Sequence, residues 1–186
     1  MSTTIYNKVS LAGAAKVEFR TLSAADVSAV VEIVRSAQRR LKADGVDQWQ
    51  NGYPNRERVE EDLRLGYGRV LCCEGEVVAY GALTYDGESA YDALRGGKWL
   101  TEKGVDYLTV HRLCVAEGAV GGGYGRLFML LAEKEAAPRV GSIRVDTHPD
   151  NGRMQGLVGS LGYSFCGTVV YESPRWAYEK ILTDRE

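Results

Sequence analysis

The sequence predicts an α/β (α+β) sandwich built on one mixed sheet. Three observations carry this. Strand-like runs come in clusters and alternate with helical stripes, in the order β-α-α-β-β-β-α-β-α-β-β. The helical stripes open on capping residues and close on Gly or Pro. One strand runs into a helix through a dense group of glycines, Gly118, Gly121, Gly122, Gly123 and Gly125. The 186 residues fit a single domain, placed at 16–182 behind an N-terminal extension, 1–15.

The first strand, Lys16 to Arg20, leads to Ser23. Ser23 and Asp26 have capping-box spacing, and Val27, Val30, Val31 and Val34 follow at helical period to about Lys42, where Asp44-Gly45 ends the helix. Asn55 caps a second helix through Val59 and Leu63, stopped by Gly66. Arg69 to Cys73 and Val77 to Tyr85 are strand-like around a short turn, and a long loop from Asp86 to Asp106 leads to a strand at Tyr107 to Val115. Past the glycines, Leu127, Leu130 and Leu131 mark the buried face of a helix that ends before Pro138. Ser142 to His148 is the next strand. A helix then carries Met154, Leu157, Val158 and Leu161 and ends at Gly162. Tyr163 to Tyr171 and Trp176 to Leu182 close the chain as strands.

Composition excludes several classes. A net charge of −2 leaves no basic footprint for nucleic acid. No apolar run approaches the ~20 residues of a membrane span, and the first residues lack the pattern of a signal peptide, so a cytoplasmic location is expected. Cys72, Cys73, Cys114 and Cys166 form no CxxC and read as small buried apolar groups. With only His111 and His148 in the chain, no metal site is expected.

Glycine lets the backbone turn its N–H groups inward, and a helix N-terminus behind such a turn makes a cradle for phosphate oxygens. Two nucleotide templates fail here. No Gly-Lys-Ser/Thr follows the glycines, as a Walker loop requires. A Rossmann fingerprint fails at Arg126, where its third glycine should stand.

A third template fits. Val115, then Gly123 and Gly125, an amphipathic helix, a strand, Asn151 and Leu161-Gly162-Tyr163 together resemble the GNAT superfamily of N-acetyltransferases. The resemblance implies a central mixed, mostly antiparallel, twisted sheet flanked by helices, with two central strands splayed apart. It implies acetyl-CoA as co-substrate, its pantetheine arm along Leu113, Cys114 and Val115 as an added strand would lie. Its pyrophosphate would rest on the N–H groups of Gly121, Gly122, Gly123, Tyr124, Gly125 and Arg126, with Asn151 reaching it from the other side. Two positions depart from the family pattern. Val120 stands where an Arg or Gln usually opens the loop, and Val158 where a proton-donating tyrosine is usual.

The implied reaction moves an acetyl group to an amine by direct attack in a ternary complex. An amine with a pKa near ~10.4 costs about 4–5 kcal/mol to hold neutral at pH 7, which a positioned base offsets in part. His111 is the candidate base, four residues before Val115 and with the same strand parity, and the Val115 N–H is the candidate oxyanion donor. That parity turns Cys114 away from His111, against a covalent acetyl-enzyme. His148 is a candidate for orienting the turn at Asn151, and Asp146 reads as structural. Trp49, Tyr53 and Trp99 are candidate walls of an acceptor pocket, and Asp44, Asp47, Asp86 and Glu88 are loop acids near it. The expected partner is a small-molecule or peptide amine, with a homodimer possible by analogy. The rival reading is a non-catalytic acyl-CoA-binding sensor of the same fold. A nucleotide-binding protein is the more distant rival.

Overall fold

Strand order in the sheet explains where a site can form. The computed structural model describes residues 4–10 and 13–182. Among the described residues, eight strands form one sheet in the order β1-β2-β3-β4-β5-β6-β8-β7. They are β1 (Thr4–Ser10), β2 (Gly13–Thr21), β3 (Gly68–Cys73), β4 (Glu76–Thr84), β5 (Tyr107–Val115), β6 (Ser142–Thr147), β7 (Ser164–Val170) and β8 (Pro174–Ile181). Every neighbouring pair is antiparallel except β5 and β6. Within the same described residues four α-helices flank the sheet: α1 (Val27–Ala43), α2 (Arg56–Leu65), α3 (Tyr124–Ala136) and α4 (Gly152–Ser160).

The strand before Lys16 was not expected. Within the proposed extension, Thr4–Ser10 pairs with Gly13–Thr21 as an edge hairpin, and residues 1–3 and 11–12 lie outside the described residues. Capping chemistry sets the helices. The Ser23 N–H and hydroxyl both donate to Asp26, which opens a short 3-10 turn leading into α1. The Asn55 side chain accepts from the Arg58 N–H at the start of α2. Gly66, at φ 73°, ends that helix in the left-handed region that favours glycine.

The helices divide into two layers. α1 and α2 bury Val30, Val34 and Val59 with Val70, Tyr80 and Cys114 on one face of the sheet. α3 and α4 bury Phe128, Leu131 and Val158 with Leu71, Leu108 and Val110 on the other. The buried stripe of α3 is Phe128, Leu131 and Ala132, at helical spacing, whereas Leu130 is 38% exposed. The leucine triplet expected there misplaced the stripe by admitting Leu130, which faces water.

The loop 86–106 is fastened to the sheet. Arg144 lies between the rings of Trp99 and Tyr107, 4.1 and 3.9 Å from their centroids, and pairs with the fully buried Glu179 at 2.9 Å. Glu179 also accepts from the Leu100 and Thr101 N–H groups and from the hydroxyls of Thr101 and Ser142. A buried carboxylate satisfied this fully holds the loop in one place.

Candidate active site

β5 and β6 pair only at Tyr107, Leu108 and Thr109, against Ser142, Ile143 and Arg144. Beyond Thr109 the strands separate, and a crevice opens between them. The distortion sits in β5. Ala82 faces His111 and Tyr80 faces Cys114, so Arg112 and Leu113 share the single partner Gly81. Arg112 takes φ 58° to make this bulge. Gly81 is required opposite it, because a Cβ there would come within 2.7 Å of the Phe128 ring.

The bulge reverses the expected parity. Leu113 and Val115 pack on the α3 side with Leu108 and Val110, while Cys114 packs against α1 and His111 faces the α2 side beside Arg58 and Arg112. His111 therefore shares its face with Cys114 and not with Val115, contrary to simple alternation along the strand. An extra residue in a strand flips everything after it, and nothing local in the sequence marks the position.

The main chain of Val115 faces the crevice. The Ala116 N–H donates to Val78 O at 2.9 Å, and bonded and non-bonded pairs alternate in an antiparallel ladder. Val115, opposite Ala79, thus turns its N–H and C=O away from β4. Its carbonyl accepts from Arg40 of α1 at 2.6 Å. Cys114, one residue back, directs its main chain to Tyr80.

The crevice measures about 220 Å³, and its wall includes Leu113, Cys114, Val115, Gly125 and Asn151. Gly121, Gly122, Gly123, Tyr124 and Arg126 lie outside that wall, on the loop and first helical turn that adjoin Gly125. Gly123 stands at the N-terminus of α3 with φ 75°, and the first helical bond there runs from Leu127 N–H to Gly123 O. The amides of Gly125 and Arg126 precede that bond in the first turn, where a helix has no acceptors of its own. The Gly122 N–H is already used, donating to Ala119 O at 3.1 Å. Asn151 caps α4 through its Oδ1 and donates from Nδ2 to Gln48 at 2.9 Å. His148 Nδ1 accepts from the Asp150 N–H, so it orients the turn that presents Asn151.

A second, larger cavity of about 780 Å³ adjoins the crevice, lined by residues of β5, β6 and the closing hairpin. Trp49, Tyr53 and His111 line it, whereas Trp99 lines neither cavity and packs under the loop 86–106 with Tyr91. Asp47, Asp86 and Glu88 also line it, so three of the four loop acids converge on one volume; Asp44 instead pairs with Arg153 beside the crevice. The two cavities share Gln48, Trp49, Val110, Arg112 and Asp146. The sequence singles out neither Gln48 nor Arg112 and reads Asp146 as structural; the structure brings all three to the shared wall. The Asp146-Thr147-His148 run at the end of a strand was the available signal for the last.

Burial sets the protonation states. It pushes the His111 imidazole down to about 3, helped by the Arg112 and Arg58 guanidiniums. Glu88 stands 3.6 Å from Nε2, beyond hydrogen-bond reach, and does not offset this. Burial pushes the Cys114 thiol up to about 12. It also raises the Asp146 carboxyl, against the hydrogen bonds from Tyr91 and Tyr171.

Comparison with known proteins agrees with this geometry. Residues 33–163 match the acetyltransferase (GNAT) family. A GNAT-family acetyltransferase structure from Streptococcus agalactiae is 29% identical, with a TM-score of 0.87, covering 97% of this chain and 100% of its own. A Salmonella typhimurium protein whose structure includes its cofactor acetyl-CoA shares the fold at 18% identity and a TM-score of 0.63, over 91% of this chain and 95% of its own. The ribosomal-protein-alanine N-acetyltransferase of Brucella melitensis shares it at 22% identity and a TM-score of 0.62, over 88% and 99%. Among curated proteins none matches the sequence. The splayed strands, the glycine turn into α3 and the match over 33–163 place this chain in the acetyltransferase (GNAT) family.

Proposed function

We propose that the protein is an N-acetyltransferase that moves an acetyl group from acetyl-CoA to a cationic amine by direct attack. The observation that carries this reading is the meeting of two cavities at one wall. A narrow crevice bordered by main-chain groups shares five lining residues with a larger cavity lined by carboxylates. The crevice suits an extended arm that adds to the edge of β5, and Leu113 and Val115 would hold it. The amides of the first turn of α3 suit a diphosphate, with Gly121 and Gly123 shaping the turn. The co-substrate supplies the activated acetyl group; everything else falls to the protein.

Val115 would give its N–H to the carbonyl oxygen as negative charge develops there. Asp47, Asp86 and Glu88 would draw in an ammonium group. Trp49 and Tyr53 would wall the acceptor, and Tyr53 is itself fixed by a hydrogen bond from Arg112 at 2.9 Å. His111 would face the amine as a neutral imidazole. Val158 is fully buried in the α4 core, so no proton donor acts from that position.

Purified protein with acetyl-CoA and a panel of primary amines, amino acids, polyamines and peptides tests the reading through release of free CoA thiol. Turnover with at least one cationic amine is expected. Calorimetric binding of acetyl-CoA with no turnover across the panel would establish the sensor instead. Absence of binding would end both.

A further inference from the structure

We propose that Asp146 is the proton acceptor of this site: its carboxylate stands at the wall shared by the crevice and the acceptor cavity and presents one free oxygen there. The inference rests on the acetyltransferase reading above. Of the five residues common to both cavities, Asp146 is the one carboxylate. Arg112, the other charged member, is committed to Asp62 and Tyr53. His111 lines the acceptor cavity alone.

The two oxygens of Asp146 differ. Oδ2 accepts from Tyr91 at 2.8 Å and from Tyr171 at 3.3 Å. Oδ1 accepts no hydrogen bond within the described residues, and it is not among the buried atoms sealed from solvent. Two phenols thus hold the carboxylate through Oδ2, while Oδ1 is left without a hydrogen bond on a residue that lines both cavities. That is how a positioned base is built: the group is held, and its reactive atom is left uncommitted.

The groups around Asp146 are Tyr91 from the 3-10 turn after β4, Glu88 from the same loop, and Tyr171 and Arg175 from the closing hairpin. Arg112 and His111 of β5 share its cavity wall. Burial raises its affinity for a proton above that of an ordinary aspartate, with Glu88 adding to this and Arg175 opposing it.

The step balances as follows. The ammonium of the acceptor gives one proton to Oδ1, leaving a neutral amine and a protonated carboxyl. The amine lone pair forms the new C–N bond as the C–S bond breaks and its electron pair leaves on sulfur. The second proton from the attacking nitrogen neutralises the thiolate, directly or through water. Asp146 then returns its proton to solvent through the acceptor cavity.

The test compares wild type, Asp146→Asn and Asp146→Glu for acetyl-CoA affinity by calorimetry and for kcat/KM against pH with the best amine of the panel. Asn keeps the shape and still accepts from Tyr91 and Tyr171. It should bind acetyl-CoA within about threefold of wild type while kcat/KM falls by about 100-fold or more and loses its acid limb. Asp146→Glu, which restores a carboxylate, should recover part of the rate and the limb at a displaced pH. The limb should persist in His111→Gln, whatever that variant's rate. Asp146→Asn at near wild-type rate, or a limb that disappears with His111, overturns the proposal while leaving the acetyltransferase reading intact. Should Asp146→Asn not fold, the Asp146→Glu and His111→Gln profiles decide: an acid limb unmoved by the first, or abolished by the second, overturns it. A wild-type protein that binds no acetyl-CoA or acetylates nothing in the panel defeats both.

Discussion

Arg112 and Asp62 meet in a bidentate ion pair, Nε to Oδ2 at 2.9 Å and Nη2 to Oδ1 at 2.7 Å, with Asp62 fully buried. Asp62 also accepts from the Tyr80 hydroxyl. The pair ties α2 to the bulge of β5, the distortion beside which β5 and β6 part. Removing one partner leaves the other charge buried and alone. Asp62→Ala should cost about 3–5 kcal/mol in chemical unfolding. Asp62→Leu combined with Arg112→Leu should cost less than Asp62→Ala, since no unpaired charge is then left inside.

Gly125 separates fold from cofactor. A Cβ built there meets Leu157 and Val115 at 3.6 Å, ordinary contact distances, yet it borders the crevice. Gly125→Ala should therefore melt within a few degrees of wild type. Its acetyl-CoA affinity should fall by about tenfold or more, read by calorimetry. A loss of stability with unchanged affinity would mean that the glycine serves packing.

Cys114 borders the crevice, but burial holds its thiol near 12, so little thiolate exists at neutral pH. Mass spectrometry of protein incubated with acetyl-CoA alone should show no stable acetyl adduct. Initial-rate plots against both substrates should intersect, as a ternary complex requires. Parallel lines would point to a covalent intermediate.

Asp26 bears on acid stability. The Arg20 guanidinium hydrogen-bonded to it holds its carboxyl near 2, below the ordinary 3.8. A depressed carboxyl pKa stabilises the fold fully above the unfolded value and loses that contribution as pH falls through the folded one. Asp26→Asn should thus flatten the pH dependence of Tm between about 4 and 2, as differential scanning fluorimetry would show.

His111 acts over a different window. Its pKa falls from 6.5 in the free side chain to about 3 in the fold, so the unfolded chain binds the extra proton between those values. Its neutral form supports the fold fully above 6.5, and that support drains away as pH drops toward 3. His111→Gln should lessen the decline of Tm below about pH 6. An unchanged slope would mean that His111 already carries a proton in the native protein.

Several elements were plain in the sequence because their causes are local. Ser23 with Asp26 and Asn55 with Gly66 announce helix ends through side-chain and backbone chemistry confined to a few residues. The strand Tyr107–Val115 and the glycine turn into α3 follow from periodicity and backbone freedom in the same way. Trp99 was placed near the acceptor by its position on a loop, but Arg144 and Tyr91 draw it into a packed layer instead. An aromatic on a long loop does not reveal which surface it will cover, because the surface is set partly by a residue as distant in the chain as Arg144.

The amino-acid order alone determined the helix ends, most of the strands and the glycine turn that begins α3, since each depends on neighbours within one or two turns of chain, and the order of those elements implied a mixed sheet. Only the tertiary structure decided which side of the sheet His111 and Cys114 face, where β5 and β6 part, and that Asp146 stands where two cavities meet. The facing of His111 and Cys114 depends on a bulge held by Arg112, Asp62 and Gly81, and the place of Asp146 on the pairing of β6 with β8; both join residues of separate elements whose contact exists only once the sheet has assembled.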